Sequence, residues 1–487
     1  MRYILDRISI EQATIAKGLP IILEDLTWTV QEGENWIITG RSGTGKTTLV
    51  EFLAYKHRLA AGKRTYPFLG ENPSMETFRK AVRYISFTDT GQLFNNLRDI
   101  HYYQQRFNAF DSDGHLTARQ YIEHGGFQIE GKETLLKRMG IYDLLDLDRI
   151  KLSSGQTRKL LLARVLLSNA QILIIDNPYL GLDQASRRVL NDLLDTLVNE
   201  TGITLILSGH HKELPGCISH RLHLHEGGTY VSGEVDEVKL EKRGHSINEK
   251  ILSEIKAIFA QSKSEEQLEE ILRLEDVEVT YDGKQILRPV NWTVKPGEKW
   301  VIYGPNGVGK STLLSLIYAD NPQAYSKEIY LFGRKRGTGE TIWDIKRRIG
   351  FTSPELHAYF RYNHPARTVV LTGLTDTFDM RRKAKQDEVH LATLLFQYFG
   401  VESEIDKPFK KCSTGLQRLI LLMRALIKAP LVLLLDEPFQ GLDEVHIKMA
   451  KTLLEKVLRP DQSMLFISHY KQEWPANIQQ VLDLSAS

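Results

Sequence analysis

Two kinds of hydrophobic pattern alternate along this chain. In ILEDLTWTV and again in ILRPVNWTV, apolar and polar residues take turns, which predicts strands buried on one face only. Other stretches are apolar without interruption: NWIITG, ILIID and TLILS, then KWVIYG, LVLLLD and MLFIS. Their length and flanks predict short strands covered on both faces. Helical runs such as RKLLLARVLLSNA, after Gln156, separate them. Strands that alternate with helices in this way predict an α/β fold built on a mostly parallel sheet.

The pattern occurs twice. Leu23–Leu49 reappears as Leu287–Leu313 at an offset of 264, with Gly33, Trp28 and Trp36 matching Gly297, Trp292 and Trp300. Arg83 matches Arg347 at the same offset; Ser153 matches Ser413 and Asp176 matches Asp436 at 260, and His210 matches His469 at 259. Matches that keep their order and near-constant spacing mark a duplicated unit. The expected domains are 1–235 and 273–487, joined by an acidic helical linker over 236–272. From Glu234 to Asp276 there are twelve acidic and seven basic residues, a net of −5. Ile247, Ile251, Ile255 and Ile258 within that stretch predict an amphipathic helix. The linker reads as a solvated tether with one docked helix, or else as an arm reaching a partner.

Composition narrows the class. Of 487 residues, 63 are Lys or Arg and 61 Asp or Glu, so the chain as a whole is no polyanion binder. Two cysteines, Cys217 and Cys412, cannot frame a disulfide scaffold and suit a reducing compartment. The first dozen residues carry Asp6 and Glu11 and lack a signal-peptide core, and no apolar run approaches the roughly 18 residues that span a bilayer. The expectation is a cytoplasmic protein without a transmembrane segment of its own.

The candidate chemistry lies where buried strands end. Gly40, Ser42, Gly43, Thr44, Gly45, Lys46, Thr47 and Thr48 belong to GRSGTGKTT; Gly304, Asn306, Gly307, Val308, Gly309, Lys310, Ser311 and Thr312 belong to GPNGVGKST. Both match G-x-x-x-x-G-K-[ST] between a strand and a helix. The glycines let backbone N–H groups curl around phosphates, the lysines reach the β- and γ-phosphates, and the hydroxyls of Thr47 and Ser311 suit Mg²⁺. ATP and Mg²⁺ are the cofactors these loops call for. Asp176 and Asp436 end buried strands, where an unpaired charge is costly, and are candidate metal ligands. The next residue differs. Glu437 can take a proton from water, whereas Asn177 can only orient one; general-base catalysis contributes about 10² to 10⁴ in rate. The first copy is therefore expected to bind better than it turns over.

These motifs, with LSSGQ (Leu152–Gln156), CSTGLQ (Cys412–Gln417), the GLD triplets at Gly181–Asp183 and Gly441–Asp443, and the histidines His210 and His469, resemble the ATP-binding-cassette (ABC) ATPases. The resemblance covers nearly the whole chain. It implies two P-loop ABC nucleotide-binding domains, each with a mostly parallel core and a helical subdomain, at roughly 90–150 and 354–411. It implies that His210 and His469 contact the γ-phosphate and that Tyr281 stacks on adenine; Ala13–Pro20, the first copy's equivalent, has no aromatic residue. It also implies intramolecular head-to-tail pairing. One site would then join Lys46, Asp176 and Asn177 to Ser413 and Gly415 of the divergent CSTGLQ. The other would join Lys310, Asp436, Glu437 and His469 to Ser153, Gly155 and Gln156. Asn177, CSTGLQ and the missing aromatic all fall on one side, so the expectation is one hydrolytic and one degenerate site. The family's Gln beside Mg²⁺ has a counterpart near Gln92 in the first copy only; Ile349–Phe360 contains none, and Glu355 or a backbone carbonyl is left to substitute.

Asn321–His357 and Tyr102–Asp113 are similar to the ModF or photorepair-protein group of tandem ABC ATPases, although neither role follows from these residues and no molybdate site is evident. The resemblance implies a subunit that drives separate membrane transporter subunits, peripheral at the inner face of the membrane. The alternative is an ATPase acting on a ribosome or nucleic acid. The acidic linker argues against it; the basic run Arg334, Lys335, Arg336, Lys346, Arg347, Arg348 reads as a solvated face or an anion-binding surface. A non-enzymatic, nucleotide-sensing scaffold is the third reading, disfavoured by Glu437.

Overall fold

A computed structural model describes residues 5–16, 21–86, 116–124, 128–138, 140–147, 154–168, 170–180, 182, 184–209, 213–225, 227–238, 247–262, 268–281, 284–360, 362–380 and 382–485. The chain divides into two compact units, Met1–Lys242 and Arg243–Ser487.

In the first unit β1 (Asp6–Ala16), β2 (Ile21–Gln31), β3 (Trp36–Gly40), β4 (Leu59–Thr65), β5 (Val82–Ser86), β6 (Ile172–Asp176), β7 (Thr204–Ser208), β8 (His220–Leu224) and β9 (Tyr230–Glu234) make two sheets. A three-stranded antiparallel sheet has the order β2-β1-β4. A six-stranded sheet has the order β5-β6-β7-β3-β8-β9, parallel except for the last pair. The uninterrupted apolar runs are the central strands of this sheet: β3, β6 and β7 are buried at every position. Alternate residues face opposite sides. Ile38, Ile174 and Ile206 pack with the small sheet and the Lys46–Leu53 helix, while Ile37, Leu173 and Leu207 pack with the Ser154–Leu167 and Gln184–Thr201 helices.

The second unit repeats the plan. β10 (Leu272–Tyr281), β11 (Lys284–Val294), β12 (Lys299–Tyr303), β13 (Glu328–Leu331), β14 (Arg334–Lys335), β15 (Ile349–Thr352), β16 (Val432–Asp436), β17 (Ser463–Ile467) and β18 (Gln480–Asp483) form an antiparallel sheet β11-β10-β13-β14 and a parallel sheet β15-β16-β17-β12-β18. Between β15 and β16 lies a helical region that includes Pro354–Tyr359, Ala366–Leu371, Gln386–Tyr398 and Thr414–Leu426.

The predicted helix in the acidic stretch spans Glu249–Gln261, and Asn248 caps it by accepting from Lys250 N and Ile251 N at 3.2 Å. Leu252, Ile255 and Phe259 are buried in the second unit's main core against Gln386–Tyr398 and Glu444–Val457. Lys456 to Glu249 (3.1 Å), His390 to Glu254 (2.9 Å) and Arg459 Nη1 to the Phe259 carbonyl (3.1 Å) hold its flanks. The helix itself carries two acidic residues, Glu249 and Glu254, against Lys250 and Lys256, so it packs into the second unit without a net charge. The basic run is not simply solvated either. Arg336 is buried against Glu340, Lys335 donates to Glu328 at 2.5 Å, and Lys346 to Asp320 at 2.6 Å.

Candidate functional site

β3 and β12 run into loops of one shape. Gly40, Gly43 and Gly45 have φ of 144°, 90° and 95°; Gly304, Gly307 and Gly309 have 149°, 86° and 96°. Residues with a side chain rarely adopt these angles. Space excludes a Cβ as well: at Gly40 it would lie 2.4 Å from the Leu224 carbonyl oxygen, and at Gly309 2.7 Å from that of Ile286. The helices Lys46–Leu53 and Lys310–Ile317 start directly after the loops, with glycine, which has no side chain to accept from their N–H groups, at each N-cap. Their first N–H groups are left for an anion.

The lysines lie across these loops. Lys46 Nζ donates to the carbonyls of Gly40 (2.6 Å) and Arg41 (2.7 Å), and Lys310 Nζ to those of Gly304 (2.7 Å) and Pro305 (2.8 Å). Ser42 and Asn306 occupy the loops themselves, half-buried and exposed respectively. Thr44 donates to the Arg41 carbonyl at 2.9 Å; Val308 stands at the matching place in the second loop and can make no such bond. Thr48 is buried and Thr312 half-buried in the first helical turn.

Across each loop stands the strand-end aspartate. Thr47 Oγ1 donates to Asp176 Oδ2 at 3.0 Å and Ser311 Oγ to Asp436 Oδ2 at 2.8 Å. Both carboxylates are buried, Asp176 fully and Asp436 to within 5% exposure. Burial raises both above the ordinary carboxylate range, Asp436 to about 6, with the Glu355 charge pushing the same way and Ser311 and Lys310 opposing it. A hydroxyl and a carboxylate meeting beside a phosphate-shaped loop are the oxygen donor pair that suits Mg²⁺. These donors fit the ion.

Beyond the aspartates the two units part. Asp176 Oδ1 accepts from Ser208 Oγ and, at 3.2 Å, from Asn177 Nδ2, so both its oxygens are taken by side chains of its own unit. In the second unit the residue in register with Asp436 is Ile467, which has no hydroxyl. Glu437 follows, with His469 Nε2 at 3.3 Å and His469 N donating at 3.2 Å to the same Oε1. Burial raises the Glu437 pKa well above its usual value, and the charges of Asp436 and Glu473 add to the effect. A carboxylate held this way is a better base than a solvated one.

Asn177 and Glu437 also share a backbone conformation, φ 51° and 46°. Asn tolerates the left-handed region; Glu does so at a cost. The second unit therefore keeps a strained residue where the first has a relaxed one.

Ser413 caps the Thr414–Leu426 helix by accepting from Leu416 N at 3.3 Å, with Gly415 in its first turn. Gly155 and Gln156 lie in the first turn of Ser154–Leu167. Tyr281 ends β10, in register with Lys284 of β11. Asp443 caps Glu444–Val457, accepting from His446 N at 2.9 Å. Ser153, His210, Gln92, Gly181, Asp183 and Tyr102–Asp113 lie outside the described residues. Glu355 stands in the first turn of Pro354–Tyr359, close enough for its charge to act on Asp436.

Three contributors escaped the sequence reading. Ser208 sits at the end of TLILS, where its apolar run reads as packing alone. Glu473 accepts from Ser468 Oγ at 2.6 Å, from a loop with no motif. Arg418, on Thr414–Leu426, donates through Nη1 to the Gln440 carbonyl at 3.1 Å and also to the Gln440 side chain. A lone Arg in the apolar run QRLILLM was the available signal for it.

Comparison with known proteins agrees with this geometry. The model of the family described as ABC transporter matches residues 23–180 and 287–440. An uncharacterised ABC transporter ATP-binding protein of Schizosaccharomyces pombe is 31% identical over 468 residues, 93% of each chain. The ABC transporter ATP-binding protein ModF of Escherichia coli is 34% identical over 474 residues, 92% of this chain and 91% of that one. Among solved structures, an archaeal ribosome recycling factor, crystallised with the ribosomal stalk protein aP1, is similar with a TM-score of 0.55 and 17% identity, over 97% of this chain and 87% of that chain. At that identity the likeness shows the fold.

Proposed function

The chain belongs to the ABC transporter family as a tandem ATP-binding protein, and from that premise we propose that it is an ATPase whose turnover is concentrated in the second unit while the first mainly binds nucleotide. One observation carries the proposal: Glu437, half-buried beside Asp436 and held by His469, stands where the first unit has an amide.

The chain's own groups divide the task. The loop amides and Lys46 or Lys310 bind the phosphates. Thr47 with Asp176, and Ser311 with Asp436, would hold Mg²⁺, whose chemistry is to neutralise charge on the phosphate oxygens. Glu437 takes the proton of the attacking water, and His469 fixes the Glu437 carboxylate in place. Asn177 can accept no proton near neutral pH.

The same reading makes the protein an energy-supplying subunit for separate membrane components. No helix among the described residues is long and apolar enough to cross a membrane, and the relatives carry the name of transporter ATP-binding proteins. The internal pairing of Lys335, Arg336 and Lys346 disfavours a nucleic-acid surface there.

Steady-state hydrolysis tests the site assignment. Glu437→Gln should lower kcat by about 10²- to 10⁴-fold, the usual contribution of a general base, and Asn177→Ala by less than about threefold. Equal losses would refute it. Affinity capture with Glu437→Gln in ATP then tests the partner: membrane subunits support the transport reading, and ribosomes or nucleic acid overturn it.

A further inference from the structure

We propose that Arg418 is a positioning residue for Glu437, acting through Gln440. This rests on the assignment of Glu437 as the base. After β16 the chain turns tightly, with Gln440 N donating to the Glu437 carbonyl at 3.2 Å. The first unit makes the same turn, from Leu180 N to the Asn177 carbonyl at 3.3 Å. What differs is the fourth residue of the turn, Gln440 in one unit and Leu180 in the other. In the second unit the buried Arg418 guanidinium grips Gln440 twice, at its backbone carbonyl and its side-chain oxygen. Leu180 offers no side-chain acceptor at all.

A buried guanidinium is costly to desolvate unless it is matched. Burial does lower the Arg418 pKa, to about 10, and the Glu437 charge is what opposes the shift. The adjacent Gln417 accepts from His357 Nε2 at 2.8 Å and donates to the carbonyls of Phe409 (3.0 Å) and Cys412 (3.1 Å). The start of the Thr414–Leu426 helix is thus tied down on both flanks, and Arg418 carries that rigidity to the turn bearing the base. In the unit that possesses a base, the glutamine side chain adds an acceptor to this link that a leucine cannot supply. Displacing a catalytic group by a fraction of an ångström costs rate without touching substrate affinity.

The test is a double-mutant cycle with Gln440→Leu, which installs the residue of the first unit, and Arg418→Met. Each should lower kcat about tenfold, with KM for ATP changed less than about twofold, as for a displaced but intact base. The double variant should lose about what Arg418→Met loses alone, about tenfold and not a hundredfold, because that substitution already removes both bonds to Gln440. In a Glu437→Gln background neither substitution should lower the residual rate. Should Arg418→Met fail to fold, Gln440→Leu with its melting temperature and nucleotide affinity decides alone. A normal kcat for a folded Gln440→Leu protein, additive losses, or a rise in KM as large as the fall in kcat would overturn the inference. If Glu437→Gln itself left hydrolysis intact, the failure would lie in the assignment of the base instead.

Discussion

The two units share a loop, a lysine, a hydroxyl and an aspartate, and differ in the few atoms around that aspartate. In the first, Asp176 is closed in by Thr47, Ser208 and Asn177. In the second, Asp436 bonds Ser311, faces Ile467 across the sheet, and is followed by a half-buried carboxylate in a left-handed conformation. The first arrangement is the more comfortable, with its polar groups satisfied and its backbone relaxed. The second concentrates negative charge and strain. A nucleotide site that only binds can relax towards stability, and a site that turns over cannot.

That contrast can be broken most severely at Glu437. Exchanging it for the first unit's residue, Glu437→Asn, should reduce kcat about 10²- to 10⁴-fold and yet raise the melting temperature of the nucleotide-free protein, since it removes a carboxylate whose charge desolvation, Asp436 and Glu473 disfavour and suits the φ of 46°. A loss of activity accompanied by destabilisation would contradict the comparison.

Asp436→Asn should come next. With its pKa raised from 3.8 to about 6, Asp436 contributes stability that is complete below about pH 3.8 and lost as the pH rises through about 6. At pH 7 its charge costs about 3 kcal/mol, so the amide should stabilise the nucleotide-free protein by about that much, read from chemical denaturation. Asp176→Asn should stabilise less, because that carboxylate already accepts from Ser208 and Thr47.

A smaller effect is expected at His357, which burial holds down at about 4 from 6.5. A base depressed in the folded state adds stability that is complete above about pH 6.5 and lost as the pH falls towards 4. After allowing for its part exposure, His357→Gln should be about 2 kcal/mol less acid-sensitive than the wild type over that window. An identical pH profile would show that the histidine is not buried in its neutral form.

The smallest change should follow Ser208→Ala, which leaves an Asp176 oxygen without its hydroxyl partner. It should destabilise the first unit by about 1 kcal/mol while hydrolysis stays within about twofold. A large loss of hydrolysis would mean that the first site turns over after all.

Much of this was legible in the residues alone. Uninterrupted apolar runs located the covered strands, and the spacing G-x-x-x-x-G-K-[ST] located both glycine-rich loops, because close backbone approach leaves little freedom of residue type. The amide for carboxylate exchange at Asn177 and Glu437 was readable for the same reason, being a change in what the atoms can do. What escaped depended on three-dimensional neighbours. Ser208 reaches Asp176 only because β6 and β7 lie in register. Gln440 meets Arg418 only once the Thr414–Leu426 helix has packed against the sheet at β15. The acidic stretch showed its helix through its isoleucines, but not that Phe259 and Leu252 would bury it in the second unit. The basic run looked like a surface because sequence spacing does not reveal that Arg336 turns inward to Glu340.

The most direct test of unequal sites is to count what each chain holds. ATP would be added in excess, the protein isolated rapidly after one turnover, and the retained nucleotides separated and quantified. The account predicts one ADP and one ATP on each wild-type chain, and two ATP on each Glu437→Gln chain. Two ADP on the wild type, or ADP persisting on Glu437→Gln, would contradict it.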